Sequence, residues 1–245
     1  MSRHRPQGPK RLGYRFVEAV VRPWLMILTK RDWRGAERLR TGTGCVVAMN
    51  HLSWFDPLVA AHYVNDAGRP VRFLAKAEVF AVPLLGPLLR SAGQIPVARG
   101  TSAAVGSLHA AIEAVNAGEC VVIYPEGTLT RDPNLWPMSA KNGIARIALS
   151  TGAPVIPAAQ WGPQEVIAPY SKKVRLWPRK TMHVWSGPAV DLDDLRGKPL
   201  TGDVLTQATA RIMAAITAIL ADIRGERPPA APLDRTTVIK PGDPR

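Results

Sequence analysis

The chain has 245 residues, a length that forms one large domain or two small ones. Hydrophobic residues make up 46% and charged residues 21%, near the averages of globular proteins, so a collagen, a coiled coil and a wholly disordered chain are excluded. Lys and Arg total 32 against 19 Asp and Glu, and the net charge of +13 predicts an anionic partner: nucleic acid, an anionic membrane surface or a phosphorylated substrate.

The positive charge is concentrated at the N-terminus. Residues 1–40 hold 11 Lys and Arg against 3 Asp and Glu, and therefore carry +8 of the +13. Within them Leu12–Lys30 is apolar, but three charged residues interrupt it and Pro23 is expected to kink it. A spanning helix needs about 20 apolar residues with few charges, and a signal peptide needs a cleaner apolar core, so the stretch predicts neither.

Two interpretations of this N-terminal segment remain open. Basic flanks and two tryptophans, Trp24 and Trp33, are typical of a helix that lies in the interface of an anionic membrane. An amphipathic helix packed on the domain core fits the same pattern. The concentrated charge favours the membrane, so we expect residues 1–40 to form a basic, amphipathic, membrane-associating helical segment.

After residue 40, short apolar runs alternate with helix-like stretches. The expected strands are Cys45–Asn50, Val71–Ala75, Gln94–Val97, Glu119–Tyr124, Val155–Ala159, Val174–Trp177 and Met182–Ser186. The expected helices are Asp56–Asp66, Thr101–Ala117, Lys141–Ser150 and Thr201–Ile223. This alternation predicts an α/β fold, a single domain over residues 41–224 with a mostly parallel central sheet covered by helices. Residues 225–245 are Pro-rich and polar and predict a disordered tail.

Residue types that bind metals are few and scattered. Cys45 and Cys120 each lie in an apolar strand-like run, which indicates buried thiols and neither a disulfide nor a metal site. The histidines apart from His51 are His4, His62, His109 and His183. Their spacing matches no zinc motif, so we expect no metal.

Two further segments are candidates for contact with lipid. Val79–Leu89 is apolar on all sides, which is typical of a buried helix and turn and also of a wall that meets an acyl chain. Lys172–Lys180 has five basic residues, no acidic residue, and Trp177 between them. It fits a solvated loop and equally a site for a phosphate or a lipid headgroup.

A histidine and an aspartate lie on either side of the turn after the first apolar strand. In Asn50-His51-Leu-Ser-Trp-Phe-Asp56, His51 follows the strand directly and Asp56 opens the next helix as its expected N-cap. Ligands of α/β sheets bind at this end of the strands. The carboxylate can hold one imidazole nitrogen as N–H and leave the other to accept a proton, as in a catalytic triad.

Three more segments place polar or proline residues beside short strands. Arg99 follows the run that begins at Gly93 and suits a bidentate grip on a phosphate. Tyr124-Pro-Glu126-Gly127-Thr128 puts polar groups at the end of another strand, and Pro154-Val-Ile-Pro157 is an apolar strand flanked by prolines.

In this order the four blocks resemble the glycerolipid acyltransferase family, above all its bacterial 1-acyl-glycerol-3-phosphate acyltransferases. The resemblance covers about residues 50–157, and His-x4-Asp followed by Pro-Glu-Gly-Thr is a specific pair. It implies that His51 is the catalytic base, Asp56 its orienting partner and Pro157 a residue of the acyl-donor side. The implied acceptor- or phosphate-binding residues are Arg99, Glu126, Gly127, Thr128, Arg131 and Lys141.

Two positions depart from the family pattern. Ala98 stands where an acidic residue is common before the arginine. The third block continues Thr128-Leu129-Thr130-Arg131 where the family commonly has an arginine directly after the threonine, so Arg131 is expected to take over the phosphate contact.

The resemblance implies transfer of an acyl group from acyl-CoA or acyl-carrier protein to the free hydroxyl of lysophosphatidic acid, giving phosphatidic acid. The thioester is already reactive, so no acyl-enzyme and no cofactor are expected. The chain has no Gly-x-Ser-x-Gly elbow, and Ser53 is interpreted as a hydrogen-bonding residue of the loop. A peripheral or monotopic location on the cytoplasmic face of the cell membrane follows.

Several alternatives remain open. Within the same class, the acceptor is glycerol-3-phosphate, another lysolipid or a glycolipid. A thioesterase would use water as the acceptor. The basic charge alone also fits a nucleic-acid-binding protein, but no aromatic-rich RNA-binding signature accompanies it, so no nucleic-acid partner is expected.

Overall fold

A computed structural model describes residues 12–97 and 101–236. The helices are α1 (Leu12–Leu28), α2 (Asp56–Asp66), α3 (Leu85–Ser91), α4 (Thr101–Asn116), α5 (Gly143–Thr151), α6 (Pro163–Val166) and α7 (Gly202–Arg224). The strands are β1 (Thr29–Arg34), β2 (Cys45–Met49), β3 (Val71–Lys76), β4 (Ile95–Val97), β5 (Cys120–Ile123), β6 (Val155–Trp161) and β7 (Lys180–Ser186). The four predicted helices and six predicted strands are confirmed, with ends that differ by at most two residues.

The described strands form one sheet in the order β1-β7-β6-β2-β5-β3-β4. Neighbours are parallel except β6 and β7, which pair antiparallel. The predicted α/β fold with a mostly parallel sheet is therefore confirmed. Strand β2 lies between β5 and β6, so the residues that follow these three strands meet at the middle of one sheet edge.

Helices cover both faces of the sheet. Along β2, Val46 and Ala48 pack against α4, α5 and α7, whereas Cys45, Val47 and Met49 pack against α1 and α2. All are fully buried, which is why the strand is apolar throughout instead of alternating. Cys45 and Cys120 are register partners on β2 and β5, and both are buried free thiols, as predicted.

Helix α7 supplies much of one core face. In the described part of the chain it is the one helix long and apolar enough to cross a membrane by length and composition. Its stripe of apolar residues is buried on the sheet: Leu205, Ala208, Ile212, Ile216 and Leu220. The helix begins at the N-cap Thr201, whose hydroxyl accepts the Val204 N–H, and ends at Gly225 with φ 63°. One face of the helix is therefore buried on the sheet, and the other faces outward.

Helix α1 continues through Pro23 and buries only a narrow stripe that includes Tyr14 and Leu25. The exposed apolar residues of α1 are Leu12, Phe16, Val20, Trp24, Met26 and Ile27. Trp33, which we predicted to accompany Trp24 on a helical segment, lies instead on strand β1.

The carboxylate of Asp66 anchors the N-terminal segment to the domain. Asp66 ends α2, and it accepts hydrogen bonds from Arg22 on α1 at 2.9 Å, from Arg31 at 3.1 Å and from the Trp33 indole at 3.1 Å. Burial raises the pKa of the Asp66 carboxyl, but the hydrogen bonds from Arg22 and Trp33 lower it by more and hold it below its usual value. Helix α1 is therefore fixed on the domain, while the apolar side chains of its outer face stay exposed.

One strand prediction was wrong, and one strand was missed. Val174–Trp177 is not a strand but part of an exposed loop between α6 and β7, because its side chains find no second layer to pack on. Strand β1 was missed, since Thr-Lys-Arg-Asp-Trp-Arg has no apolar alternation. It forms at the sheet edge by pairing with β7 along its whole length.

The first part of the predicted disordered tail lies against the domain. The Leu233 carbonyl accepts the Ser139 N–H at 2.9 Å, and the Ser139 hydroxyl accepts the Arg235 N–H at 3.0 Å. These bonds hold residues 225–236 beside the loop that precedes α5. Residues 237–245 lie outside the described residues.

Two glycines allow a matched test of packing. A methyl group on Gly44 would lie 1.8 Å from the Val115 carbonyl oxygen, whereas one on Gly106 in α4 would meet nothing within 4 Å. We expect Gly44→Ala to lower the free energy of unfolding by roughly 2–4 kcal/mol because backbone must move. Gly106→Ala should raise it by up to about 1 kcal/mol through helix propensity. Urea denaturation measures both, and equal stabilities of the two variants would contradict this packing.

Candidate active site

The site begins where β2 ends at the middle of the sheet edge. Asn50 uses its side chain to extend the pairing of β2 with β6: its Oδ1 accepts the Gln160 N–H at 2.8 Å and its Nδ2 donates to the Gln160 carbonyl at 3.1 Å. The Gln160 side chain returns a bond to the Asn50 carbonyl at 3.0 Å. This buried exchange fixes the backbone just before His51. Neither Asn50 nor Gln160 was predicted as a site residue; the signal in the sequence is an amide side chain at the end of each of two apolar runs.

His51 and Asp56 contact each other as predicted. The imidazole Nδ1 lies 2.8 Å from Asp56 Oδ2. The same oxygen accepts the N–H groups of Leu52 at 2.6 Å and Ser53 at 2.9 Å. A carboxylate only accepts, so Nδ1 carries the proton and Nε2 is left to accept another. The pair therefore has the base-and-orienter geometry.

Asp56 differs from the prediction in one respect. Phe55 occupies the N-cap position, and Asp56 is the first residue of α2 with its carboxylate turned back into the preceding loop. Bonds to the loop N–H groups and His51 replace helix capping. Burial raises the pKa of the Asp56 carboxyl, against the lowering effect of those hydrogen bonds.

Aromatic rings hold the plane of the imidazole. Tyr124 stacks on His51 with ring centroids 4.2 Å apart and planes 15° apart, and Phe73 continues the stack at 6.4 Å. Trp54 meets the imidazole edge-on at 6.5 Å. The His51 side chain keeps 13% of its surface exposed, whereas Asp56 keeps none. Packing thus sets the ring's tilt, and the Asp56 bond sets its rotation.

Glu126 lies beneath the site and has no exposed surface. Its Oε1 accepts the His51 N–H at 3.0 Å and its Oε2 accepts the Met138 N–H at 3.0 Å. The role predicted for Glu126 was acceptor binding; the structure uses both of its oxygens to join two loops. Burial raises the pKa of Glu126 to about 8, against the lowering effect of these backbone bonds.

Gly127 and Lys141 are brought together. Gly127 has φ 69°, and a methyl group added to it would lie 3.4 Å from Lys141 Cε, so the lysine side chain lies over the glycine. The Lys141 N–H also donates to the Pro125 carbonyl at 3.0 Å. A lysine is therefore positioned over the turn that continues from Tyr124 to half-buried Thr128.

The departure at Leu129 has a structural explanation. Leu129 is 1% exposed, and its carbonyl accepts the Tyr170 hydroxyl at 2.8 Å. Thr130 is also buried and donates to the Trp136 carbonyl at 2.6 Å, while its N–H donates to the His51 carbonyl at 2.7 Å. The chain therefore buries two residues before it reaches half-buried Arg131. The predicted phosphate contact of Arg131 stays a prediction.

Other predicted positions fall elsewhere. Pro157 is a buried residue of β6 beside Gly187, with Ala48 as its register partner, so its acyl-donor role stays a prediction. Ala98 and Arg99 lie outside the described residues. Ser53 is a loop hydrogen-bonding residue, as predicted, because its hydroxyl donates to Ile167 and accepts the Phe55 N–H. Within residues 12–97 and 101–236, no group of three His, Cys, Asp or Glu is placed to hold a metal ion.

Glu126 makes stability depend on pH in a predictable direction. Its pKa rises from 4.5 to about 8 on folding, so the folded state binds the proton more tightly. The contribution of Glu126 to the free energy of unfolding is therefore greatest below about pH 4.5 and falls as the pH rises towards 8. Glu126→Gln cannot titrate, and it loses an acceptor at a cost of roughly 1–3 kcal/mol at low pH.

We therefore expect the wild type to be the more stable protein at about pH 5, and its advantage over Glu126→Gln to shrink and then reverse by about pH 8.5, because a rise in pKa from 4.5 to about 8 outweighs one lost acceptor. Urea denaturation across this range measures it, with the exposed Glu78→Gln as control. A difference that stays constant with pH would show that Glu126 does not titrate on folding.

The sequence and the fold are similar to those of known proteins. The family model described as Acyltransferase matches residues 30–161. The chain is 30% identical over 159 residues to the chloroplastic 1-acyl-sn-glycerol-3-phosphate acyltransferase BAT2 of Brassica napus, which covers 62% of this chain and 44% of that protein. It is 31% identical over 127 residues to the 1-acyl-sn-glycerol-3-phosphate acyltransferase of Bacillus subtilis, covering 52% and 60%. The matched part is thus less than two thirds of either relative.

A third relative and a solved structure extend the comparison. The lyso-ornithine lipid O-acyltransferase of Pseudomonas aeruginosa is 35% identical over 111 residues, covering 45% of this chain and 40% of that one. The crystal structure of the 1-acyl-sn-glycerophosphate acyltransferase PlsC from Thermotoga maritima superposes with a TM-score of 0.64 over 88% of this chain and 81% of that one. At 20% identity this likeness shows the fold. Since the family model covers more than half of the residues, including the His51–Asp56 pair and Glu126, the chain belongs to the acyltransferase family.

Proposed function

We propose that this protein transfers an acyl group from acyl-CoA or acyl-carrier protein to the free hydroxyl of 1-acyl-glycerol-3-phosphate, giving phosphatidic acid. The observation that carries the proposal is the His51–Asp56 pair, with Nδ1 bound to a buried carboxylate and Nε2 left to accept a proton. The names of the Brassica and Bacillus relatives support the acceptor.

The reaction follows from the orientation of the His51 ring, which has Nδ1 bound to Asp56 and Nε2 left to accept a proton. His51 Nε2 takes the proton of the acceptor hydroxyl as its oxygen attacks the thioester carbonyl carbon. The C–O bond forms and the tetrahedral intermediate collapses with cleavage of the C–S bond. The leaving thiolate takes the proton from Nε2, which restores the neutral imidazole. The thioester supplies a good leaving group, so the transfer is direct and the acyl donor is a co-substrate, with no separate cofactor.

Cations around the third block support a phosphorylated acceptor. Lys141 lies over Gly127, and Arg131 follows on the same loop. Together with Arg99 they would hold the acceptor phosphate so that its hydroxyl meets His51, which is catalysis by positioning. Glu126 would keep His51 in position relative to these cations, since it joins the His51 loop to the loop of Met138.

A membrane surface is the proposed place of the reaction. Both the acceptor and the product are amphiphiles that reside in lipid. The exposed apolar residues of α1, Phe16, Trp24 and Ile27 among them, and the net charge of +13 suit contact with an anionic leaflet. We propose a peripheral association with the cytoplasmic face of the cell membrane, and no nucleic-acid partner.

A second candidate acceptor is another lysolipid. The Pseudomonas relative is named for a lyso-ornithine lipid. The buried Leu129 stands where the family commonly has the phosphate-binding arginine, and Ala98 replaces an acidic residue. These features alter the acceptor side and leave the His51–Asp56 pair unchanged.

His51→Ala should lower the turnover of acyl-CoA with lysophosphatidic acid by about 10²–10⁴-fold, because the proton acceptor is lost. Transfer of a labelled acyl group by purified protein measures it, and circular dichroism checks folding. The matched control is His109→Ala, an exposed histidine of α4 that should keep full activity. A folded His51→Ala protein with near-normal turnover would rule out the mechanism.

Lys141→Ala should raise the KM for lysophosphatidic acid by roughly tenfold and leave the KM for acyl-CoA unchanged, because one charged phosphate contact is lost. Initial-rate kinetics with each substrate varied in turn measure the two constants, and Lys198→Ala is the surface control. An equal rise in both KM values would mean that Lys141 does not serve the acceptor. Wild-type activity confined to another lysolipid would favour the second acceptor.

A further inference from the structure

The loop between α6 and β7 runs from the active site to the end of α1. At its start the Ile167 carbonyl accepts the Ser53 hydroxyl at 2.7 Å, and the Tyr170 hydroxyl donates to Leu129 at 2.8 Å. At its end the Arg179 guanidinium donates to the carbonyl oxygens of Met26 at 3.0 Å and Thr29 at 2.7 Å. One segment therefore connects the loops that carry the catalytic residues to the exposed N-terminal helix.

The middle of this loop exposes apolar and basic side chains together. Trp177 is 82% exposed, Val174 58% and Leu176 36%. The basic residues of the loop and the start of β7 are Lys172, Lys173, Arg175, Arg179 and Lys180. No acidic residue lies between positions 166 and 182. The backbone is held in place from inside, since the Arg175 N–H donates to the Val166 carbonyl at 2.8 Å.

The loop is joined to the end of α1 by Arg179. Arg179 contacts the last turn of α1 two residues after Trp177, and that turn exposes Trp24 by 61% and Ile27 by 62%. A tryptophan with lysines around it is the composition that settles at the headgroup level of a bilayer, because the ring prefers the interface and the cations attract anionic lipid. Trp177 and Val174 expose apolar surface close together on one loop, which is typical of an interaction surface and not of a loop that contacts water alone.

We propose that residues 172–180, here called the basic loop, are a second membrane contact that docks on an anionic bilayer surface together with α1. This proposal rests on the proposed function, because docking on a membrane serves a site whose acceptor is a membrane lipid. Two contacts on one face fix the orientation of the domain. Because the basic loop follows Ile167 and Tyr170, which bond to Ser53 and Leu129, docking brings the His51 site close to the headgroups, where a lysolipid presents its hydroxyl.

The first test measures binding to vesicles. Full-length protein is sedimented with vesicles of phosphatidylcholine and phosphatidylglycerol at 3:1 and with phosphatidylcholine alone, as wild type, Lys172→Ala/Lys173→Ala and Trp177→Ser. The double variant should bind the anionic vesicles roughly 25-fold more weakly, since each lysine near the surface contributes about fivefold. Trp177→Ser should bind both compositions more weakly. High salt should weaken the wild type towards the double variant.

Matched controls lie on the opposite face of the sheet. Lys198→Ala removes an exposed lysine just after Leu195, which packs with α7, and Val105→Ser removes a 65% exposed apolar residue of α4. Both should bind vesicles as the wild type does. Loop variants that bind as tightly as wild type, or that lose affinity for duplex DNA and keep it for vesicles, would overturn the proposal.

The second test separates this proposal from the proposed function. With a short-chain lysophosphatidic acid below its micelle concentration and no vesicles, the loop variants should turn over like wild type. With a long-chain acceptor in anionic vesicles, their activity should fall in step with binding. Lost activity on the soluble acceptor as well would overturn the docking role. Wild type that turns over neither acceptor, while the loop variants still lose vesicle binding, would reject the proposed function and support the docking surface.

Discussion

The buried carboxylate of Glu126 is the interaction on which the site depends. Each of its oxygens accepts one backbone N–H, from His51 on one side and from Met138 on the other. The Thr130 N–H adds a direct bond to the His51 carbonyl. The loop of His51 after β2 and the loop that carries Arg131 and Lys141 are therefore one hydrogen-bonded unit. The buried carboxyl group of Glu126 and the Thr130 N–H together fix the position of one loop against the other.

Asp56 also joins neighbouring groups through a buried carboxyl group. It is fully buried, and its Oδ2 accepts hydrogen bonds from the His51 imidazole and from two loop N–H groups. Burying two acidic groups is costly, which appears as raised pKa values for both carboxyls. The cost is offset by backbone donors that would otherwise be unsatisfied, three in the loop after β2 and one at Met138.

The two helical layers that cover the sheet differ in how much apolar surface they expose. The layer of α4, α5 and α7 completes a core, whereas the opposite layer ends in α1, whose outer face stays apolar. Asp66 holds α1 in place through Arg22, and Arg179 links the end of α1 to the loop that begins beside the catalytic residues. The loop between α6 and β7 thus links the residues around His51 to the surface that we propose meets lipid.

The order of apolar runs and helical stretches was sufficient to determine the α/β class, because it is a local property of the chain. The His51–Asp56 pair was identified by its spacing together with the three further blocks that follow it in order. Strand β1 has no pattern of its own and exists only through its pairing with β7. Only the tertiary structure decided that Glu126 joins the loop of His51 to the loop of Met138, that Leu129 points inward, and that Asn50 binds Gln160. Those roles depend on partners 75, 41 and 110 residues away in the chain, which no local pattern encodes.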